Sequence, residues 1–339
     1  MRLTTGFIYI VILASLSLLL PREKVHADDD TLTMMWWNVE NLFDTRDDPA
    51  TEDSEFTPEG RKRWTEKKLL LKHMRLSHII KVVRLKTGSY PGILVLGEVE
   101  NKEVFNKLLS FLPGNAYKTA YHASNDPRGI DIALAYDSTS IILKNSISKR
   151  VDLKGKNTRD ITLYSFSAKD SAFFLLVNHW PSRTLGKAWS EPHRLLAAKA
   201  AKSIIDSLKL QNNHADIIVM GDFNDEPHDT SIRQILNATT DKKEFMKSPK
   251  DKLFNCWSET DDKGSCFFMG RWLKFDQIMV SHGLFDNKSL SMADNVFSCF
   301  SIPHMHAGNN GRPYATYKGP KYLGGYSDHF PILFHAEIR

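Results

Sequence analysis

The chain has 339 residues, 42% of them hydrophobic and 25% charged, an ordinary globular composition that excludes fibrous and intrinsically disordered classes. Its formal charge of +5 falls to +3 once residues 1–27 are set aside, because these hold Arg2, Arg22 and Lys24 against Glu23. So small a surplus gives no argument for nucleic acid by itself.

The chain opens on Met1-Arg2, an apolar run from Phe7 to Leu20, and the small-residue sequence Val25-His26-Ala27. The run is shorter than the ~20 residues a membrane-spanning helix needs. Residues 1–27 are therefore read as a secretory signal, and residues 28–339 as one catalytic domain exported to the periplasm or the medium, without a stable membrane anchor. An uncleaved anchor helix is the alternative.

Short apolar runs bounded by polar turns then follow in order. Leu32–Trp37 reads as a strand ending at Asn38, and Ile93–Leu96 as one ending at Gly97-Glu98. Ile130–Tyr136 and Ile141–Leu143 come next, then Phe173–Val177 ending at Asn178-His179. Ile217–Met220 ends at Gly221-Asp222, and Phe275–Val280 and Pro331–Phe334 complete the set. Continuous runs of this kind fit strands buried on both faces.

Two helices are legible between the strands. Glu66–Lys86 places Leu69, Leu70, Met74, Ile79, Ile80 and Val83 on one side, with Lys67, Lys68, Lys72, Arg75, Lys81 and Arg84 elsewhere. Its basic density reads as the solvated outer face of a sheet-covering helix rather than a nucleic-acid surface. Ser190–Leu210 is the second, and a further helix begins near Lys102. The Gly-, Pro- and Tyr-rich segment Asn309–Tyr326 reads as a long loop of the kind that often carries function. Of three cysteines, Cys256 and Cys266 are placed to close a loop across Asp261-Asp262-Lys263-Gly264, leaving Cys299 over.

Polar residues collect at strand ends: Asn38, Glu98, His179, Asp222, Asn224, Asp276, Asp328 and His329. Loops at one edge of a sheet gather such residues into a site. Each alone has an ordinary reading: Asn38 as a turn cap, Asp222-Phe223-Asn224 as an Asx turn, His179 as a satisfied semi-buried histidine. Together, carboxylates and amides are hard ligands suited to Mg²⁺ or Mn²⁺, and histidines beside them can move protons or bind phosphate. No tight histidine cluster or cysteine spacing points to zinc.

These residues resemble the endonuclease/exonuclease/phosphatase superfamily, which includes pancreatic-type deoxyribonuclease, AP endonucleases, inositol-phosphate phosphatases and bacterial sphingomyelinases. The resemblance runs from Met34 to His335. Trp37-Asn38-Val39-Glu40-Asn41 is similar to the opening motif and Gly97-Glu98-Val99-Glu100 to the second, with Gly97 where many members carry Gln. Arg128-Gly129-Ile130-Asp131, Asn178-His179-Trp180-Pro181-Ser182-Arg183, Phe275-Asp276-Gln277-Ile278 and Ser327-Asp328-His329-Phe330-Pro331 match later motifs. Gly221-Asp222-Phe223-Asn224-Asp225-Glu226-Pro227 is the most specific run. The motifs Asn41-Leu42-Phe43-Asp44 and Phe56-Thr57-Pro58 look most like an exported bacterial branch.

The resemblance implies an α/β fold, a four-layer sandwich of two mixed β-sheets flanked by helices. It implies a metal site at Asn38, Glu98 and Asp328, and catalytic roles for His179, Asp222, Asn224, Asp276 and His329. Asp222 would aim or deprotonate the attacking water, Asn224 would hold a phosphate oxygen, His179 would contact the scissile phosphate or act as the acid, and Asp276 would orient His329, the base or phosphate clamp. Arg128 and Arg183 are candidate contacts to substrate phosphate. The expected enzyme is a Mg²⁺-dependent phosphoester hydrolase, with Mn²⁺ as the other metal, working as a monomer. Nucleic acid is the preferred substrate class. Small or lipid phosphoesters are the alternative, with Phe267-Phe268-Met269 and Trp272 as either a membrane-facing loop or hairpin core. A non-catalytic binding protein on the same fold is the third reading.

Overall fold

Alternation along one strand sets the layers. In Thr31–Leu42 (β1), Leu32, Met34 and Trp36 enter one apolar core while Met35, Trp37 and Val39 enter another. Successive side chains of a strand point to opposite faces, so a strand apolar on both must lie inside the molecule. The computed structural model describes residues 30–339; the signal expected over residues 1–27 lies outside the described residues.

After β1 come Ile93–Val99 (β2), Tyr117–Tyr121 (β3), Asp131–Asp137 (β4), Ile141–Lys149 (β5), Ile161–Ala168 (β6), Ser171–His179 (β7) and Asp216–Asp222 (β8). Ala238–Thr239 (β9), Leu253–Asn255 (β10), Cys266–Phe268 (β11), Arg271–Leu273 (β12), Asp276–Val280 (β13) and Leu290–Cys299 (β14) follow. His306–Ala307 (β15), Arg312–Pro313 (β16), Tyr317–Lys318 (β17) and Lys321–Tyr322 (β18) are two-residue strands, and Ile332–Ile338 (β19) ends the set. The helices are Glu66–Thr87 (α1), Lys102–Leu109 (α2), Lys187–Gln211 (α3) and Lys242–Lys247 (α4).

Two mixed sheets result, one of six strands in the order β14-β19-β1-β2-β4-β3 and one of seven in the order β5-β6-β7-β8-β13-β10-β9. Their inner faces meet through Trp36, Val95, Leu134, Tyr164, Leu175, Ile218 and Ile278. A second core joins the first sheet to α1 and α2, through Leu76, Ile80 and Phe105 against Trp37 and Leu96. A third joins the second sheet to α3, through Ala198, Ala201 and Ile205 against Ile217 and Val219. These three cores separate helix, sheet, sheet and helix, the four-layer sandwich expected from the sequence.

The strands and both long helices read from apolar patterning are present, with the first strand running on to Leu42 and the strand from Ile141 running on to Lys149. Among the strands of five or more residues, three were not legible that way. β3 carries little apolar sequence, β6 alternates with Thr162, Ser165 and Ser167, and the ladder of β14 is interrupted between Met292 and Phe297. The segment Asn309–Tyr326 folds into small hairpins instead of one open loop. It is pinned from two sides. Glu40 accepts the backbone N–H groups of Thr316 and Tyr317, and Lys72 Nζ donates to Thr316 Oγ1 at 2.5 Å and to the Tyr326 carbonyl at 2.7 Å. Lys72 is thus buried beneath the loop, not on the solvated face expected for it. Cys256 and Cys266 are buried free thiols and form no bridge. Among the described residues no helix is long and apolar enough to cross a membrane.

One glycine is dictated by strand approach. Gly221 has φ +149°, and a Cβ there would stand 1.8 Å from the Asn178 carbonyl oxygen of the neighbouring strand. Backbone cannot yield as a flexible side chain would, so Gly221→Ala combines dihedral strain with overpacking, about 3–5 kcal/mol. A thermal melt is expected to show Tm lowered by at least about 5 °C. An unchanged Tm would refute the close approach.

Candidate active site

Strand register assembles the site. β1 and β2 run parallel with Asn38 opposite Gly97, and β7 and β8 run parallel with His179 opposite Asp222. β13 adds Asp276 across from Asp222. Crevices for ligands form outside the carboxyl ends of such strands. Asn38 Nδ2 donates to Asp222 Oδ2 at 3.1 Å and to Glu98 Oε1 at 3.2 Å, joining the two sheets at this edge.

Two irregularities aim the acidic side chain. The ladders shift register between Asn38 and Leu42 and between Gly97 and Val99. Glu40, Asn41 and Glu98 take φ of +53°, +55° and +63°, left-handed values that non-glycine residues adopt rarely. Such bulges re-aim side chains, and strain of about 1–3 kcal/mol per residue persists where its surroundings enforce it. Here the Asn41 N–H donates to Glu98 Oε2 at 2.9 Å and the Glu40 N–H to Asn38 Oδ1 at 3.0 Å. Gly97 has its own reason: a Cβ would meet Trp36 Cη2 at 2.9 Å. The indole that fills this space donates its Nε1–H to Asp276 Oδ1 at 2.7 Å.

A cavity of about 580 Å³ opens at this edge. Asn38, Glu98, Arg128, His179, Arg183, Asp222, Asn224, Asp328 and His329 all line it, and Asp276 lies fully buried beneath. The residues picked out from the sequence therefore converge on one place.

His329 and Asp276 form a fixed pair. Nδ1 of His329 bonds Asp276 Oδ2 at 2.6 Å, Ser265 Oγ donates to the same oxygen, and the Trp36 indole holds the other. The His329 backbone is clamped too, its carbonyl accepting Trp37 Nε1–H and its N–H reaching Ser327 Oγ. Burial opposes a charge on His329, but the carboxylates of Asp276, Asp328 and Asp222 outweigh it and hold the imidazole well above its usual range. With Nδ1 committed to Asp276, Nε2 is the atom left for chemistry.

His179 is the opposite case. Burial, reinforced by Arg159 and Arg128, pushes its pKa well below the usual range, so the ring is neutral. Its Nδ1 is buried with no partner, and Nε2 stands 3.7 Å from Asp222 Oδ2 and 4.0 Å from Glu98 Oε1, beyond hydrogen-bond distance. A buried polar side chain left so poorly satisfied is suited to a ligand.

The carboxylates carry surplus negative charge. Burial and the charge of Asp276 push Asp222 up to about 7, and burial with Asp328 pushes Glu40 to about 7. Carboxylates raised together are short of a positive partner. A divalent cation fits this donor set, with Glu98 and the solvent-exposed Asp328 as the groups able to hold it. Oxygens of Asp222 and Asp276 and a nitrogen of His329 also lie within 4.8 Å of one another. In that second group both Asp276 oxygens are already saturated by donors, so it is better suited to proton handling. Asn38 also has a positioning role: its Nδ2 donates to the carboxylates of Glu98 and Asp222, while its Oδ1 accepts the Glu40 N–H and keeps a second lone pair.

The two arginines diverge. Arg128 is 44% exposed at the cavity rim, 3.7 Å from Asp126, and free to meet an anion. Arg183 is committed inward. Its guanidinium donates to the Asn224 carbonyl and to Asp225 and Asp229, and lies 4.7 Å over the Phe275 ring. The phosphate contact expected of Arg183 is thus replaced by support of the loop after Asp222. In that loop Asn224, at φ +48°, donates Nδ2 to the Trp180 carbonyl at 3.1 Å. An amide carries two such hydrogens, so one remains for substrate.

Residues of the site missed in the sequence are Trp36, Ser265 and Arg159. Trp36 was findable, because it lies two positions before Asn38 and so shares its strand face. Arg159, bonded to Asp126 and the Trp180 carbonyl, has no local signal.

The profile of the Endonuclease/Exonuclease/phosphatase family matches residues 33–338. A search of curated proteins finds no match. Among solved structures, D. rerio TDP2 complexed with single strand DNA product is 13% identical, with a TM-score of 0.55 over 91% of this chain and 99% of that one. The human Nocturnin catalytic domain with bound sulfate anion is 17% identical, with a TM-score of 0.52 over 91% and 95%. An endonuclease/exonuclease/phosphatase family protein from Bacteroides thetaiotaomicron is 16% identical, with a TM-score of 0.54 over 91% and 98%. Identities this low speak for the fold, and the profile match speaks for the lineage. The chain belongs to the endonuclease/exonuclease/phosphatase family of divalent-metal-dependent phosphoester hydrolases.

Proposed function

We propose that the protein is an exported, Mg²⁺-dependent phosphodiesterase that cleaves nucleic-acid strands by a single in-line attack of water. The observation that carries this reading is the convergence of Asp222, the His329–Asp276 pair, neutral His179 and Glu98 in one cavity. Asp222 aims the water and takes its proton. His179, Asn224 and the rim Arg128 meet the phosphate oxygens, and charged His329 compensates the charge that builds on them. Glu98 and Asp328 would hold the Mg²⁺, which when bound would supply Lewis-acid neutralisation of charge on the phosphate and leaving oxygen. No covalent intermediate is needed.

Nucleic acid is preferred because the cavity rim is basic at Arg128 and Lys156, and because D. rerio TDP2, similar in fold, has been solved complexed with single strand DNA product. Export rests on residues 1–27. One observation favours a lipid diester instead: the β11–β12 hairpin brings Phe267 and Phe268 to the cavity and leaves Phe268 44% and Met269 82% exposed.

The deciding assay offers plasmid DNA, RNA, bis-p-nitrophenyl phosphate and sphingomyelin to the purified protein with Mg²⁺, Mn²⁺ or Ca²⁺. DNA or RNA cleavage with Mg²⁺, abolished by chelator, is the expected result. Sphingomyelin turnover without nucleic-acid cleavage would transfer the assignment to the lipid reading.

A further inference from the structure

The cavity extends beyond the catalytic floor into an annex that no step above uses. Its walls come from the loop between β5 and β6 and from the start of α3: Leu153, Lys156, Thr158, Leu185, Trp189 and His193. Trp189 is 51% exposed and Leu185 68%. Lys156 Nζ stands 4.3 Å from the Trp189 ring centroid, and the His193 ring meets the same indole edge-on at 5.4 Å. The ionisable side chains that line the annex, Lys156, Arg159 and His193, are all basic, and Asp126, which also lines the cavity, is paired to Arg159 at 2.8 Å.

A second, independent observation points to a ligand. Thr158 and Arg159 line the cavity at 5% and 6% exposure, yet Thr158 Oγ1 and Arg159 Nε have no hydrogen-bond partner. Native proteins rarely leave buried polar atoms unpaired. An acyl chain would leave both atoms unsatisfied and would lie against the ammonium of Lys156. A bare phosphate group would fill only the catalytic floor.

We propose that the annex is a nucleotide subsite, in which the base next to the scissile phosphate stacks on Trp189 while Lys156 and Thr158 receive the adjoining phosphate or sugar. An indole platform beside a cation suits single-stranded nucleic acid, because every base offers a flat π-face and every linkage an anion. The inference rests on the phosphodiesterase reading and assigns that enzyme a substrate with an unpaired base.

Two chromogenic diesters sharing one leaving group separate the two ideas: thymidine 5′-(p-nitrophenyl phosphate) and methyl p-nitrophenyl phosphate, both with Mg²⁺. The parent protein is expected to favour the thymidine ester by about 10-fold or more in kcat/KM, chiefly through KM. Trp189→Ala is expected to bring that ratio close to one, and Trp189→Phe to retain most of it. A ratio near one in the parent, or the same ratio in parent and Trp189→Ala, overturns the subsite while turnover of the methyl ester upholds the diesterase. If neither ester nor DNA is hydrolysed, the diesterase reading fails and the subsite falls with it.

Discussion

Asp222→Ala is expected to lower kcat by about 10³-fold or more at saturating Mg²⁺, while the protein stays folded. A positioned general base contributes typically about 10²–10⁴-fold, and Asp222 is placed for that work at the end of β8. Its Oδ1 accepts the Asn224 N–H at 2.9 Å and its Oδ2 accepts Asn38 Nδ2, so the carboxylate is held rigidly between the two sheets. Burial and the charge of Asp276 raise its pKa to about 7, so the ionised group lacks full compensation in the fold. Removing it loses two hydrogen bonds of about 1 kcal/mol each but relieves that uncompensated charge. Stability should therefore move little while turnover collapses. Steady-state kinetics beside a thermal melt test this. Turnover within ten-fold of the parent would sink the assignment of Asp222 as the base.

How much of this could be read beforehand follows the range of each interaction. β2, β7 and β8 were legible because apolar runs such as Ile93–Leu96 and Ile217–Met220 lie on strands buried on both faces. The residues just past their ends inherited a common location from the parallel pairing. β6 was missed because Tyr164 and Phe166 alternate with the half-buried Ser165 and Ser167 instead of forming a continuous apolar run. Contacts between residues remote in sequence were the harder class. Trp36 reaches Asp276 across 240 positions, and Lys72 reaches Thr316 across 244, and no spacing rule records such distances. Arg183 shows the converse error. Its motif position suggested phosphate, but Asp225 and Asp229 lie only 42 and 46 residues on and claim its guanidinium first. The annex residue Trp189 had no motif at all; only the folded cavity relates it to the catalytic floor.

Glu98→Gln should separate metal binding from the rest of the site. The carboxylate accepts at both oxygens from donors of the opening motif, Asn38 Nδ2 and the Asn41 N–H, and its backbone is held at φ +63°. Gln has nearly the same shape but keeps only one of these two bonds, because its NH₂ cannot accept, so the variant costs about 1–3 kcal/mol locally while preserving the size of the group in the bulge of β2. What it removes is one negative charge from the residue best placed to hold a hard divalent cation. Changes even to groups behind a metal ligand typically cost about 10–100-fold in affinity, so loss of the ligand's charge should weaken Mg²⁺ or Mn²⁺ binding by about 100-fold or more. Calorimetric titration of parent and variant reads this without reference to any substrate. The same titration on Asp276→Asn should show a smaller change, because both Asp276 oxygens are already taken by Trp36, Ser265 and His329. If Glu98→Gln binds metal as the parent does and Asp276→Asn does not, the cation belongs with Asp222, Asp276 and His329. His329 would then be a ligand, and its role as a charged partner to the phosphate would have to be abandoned.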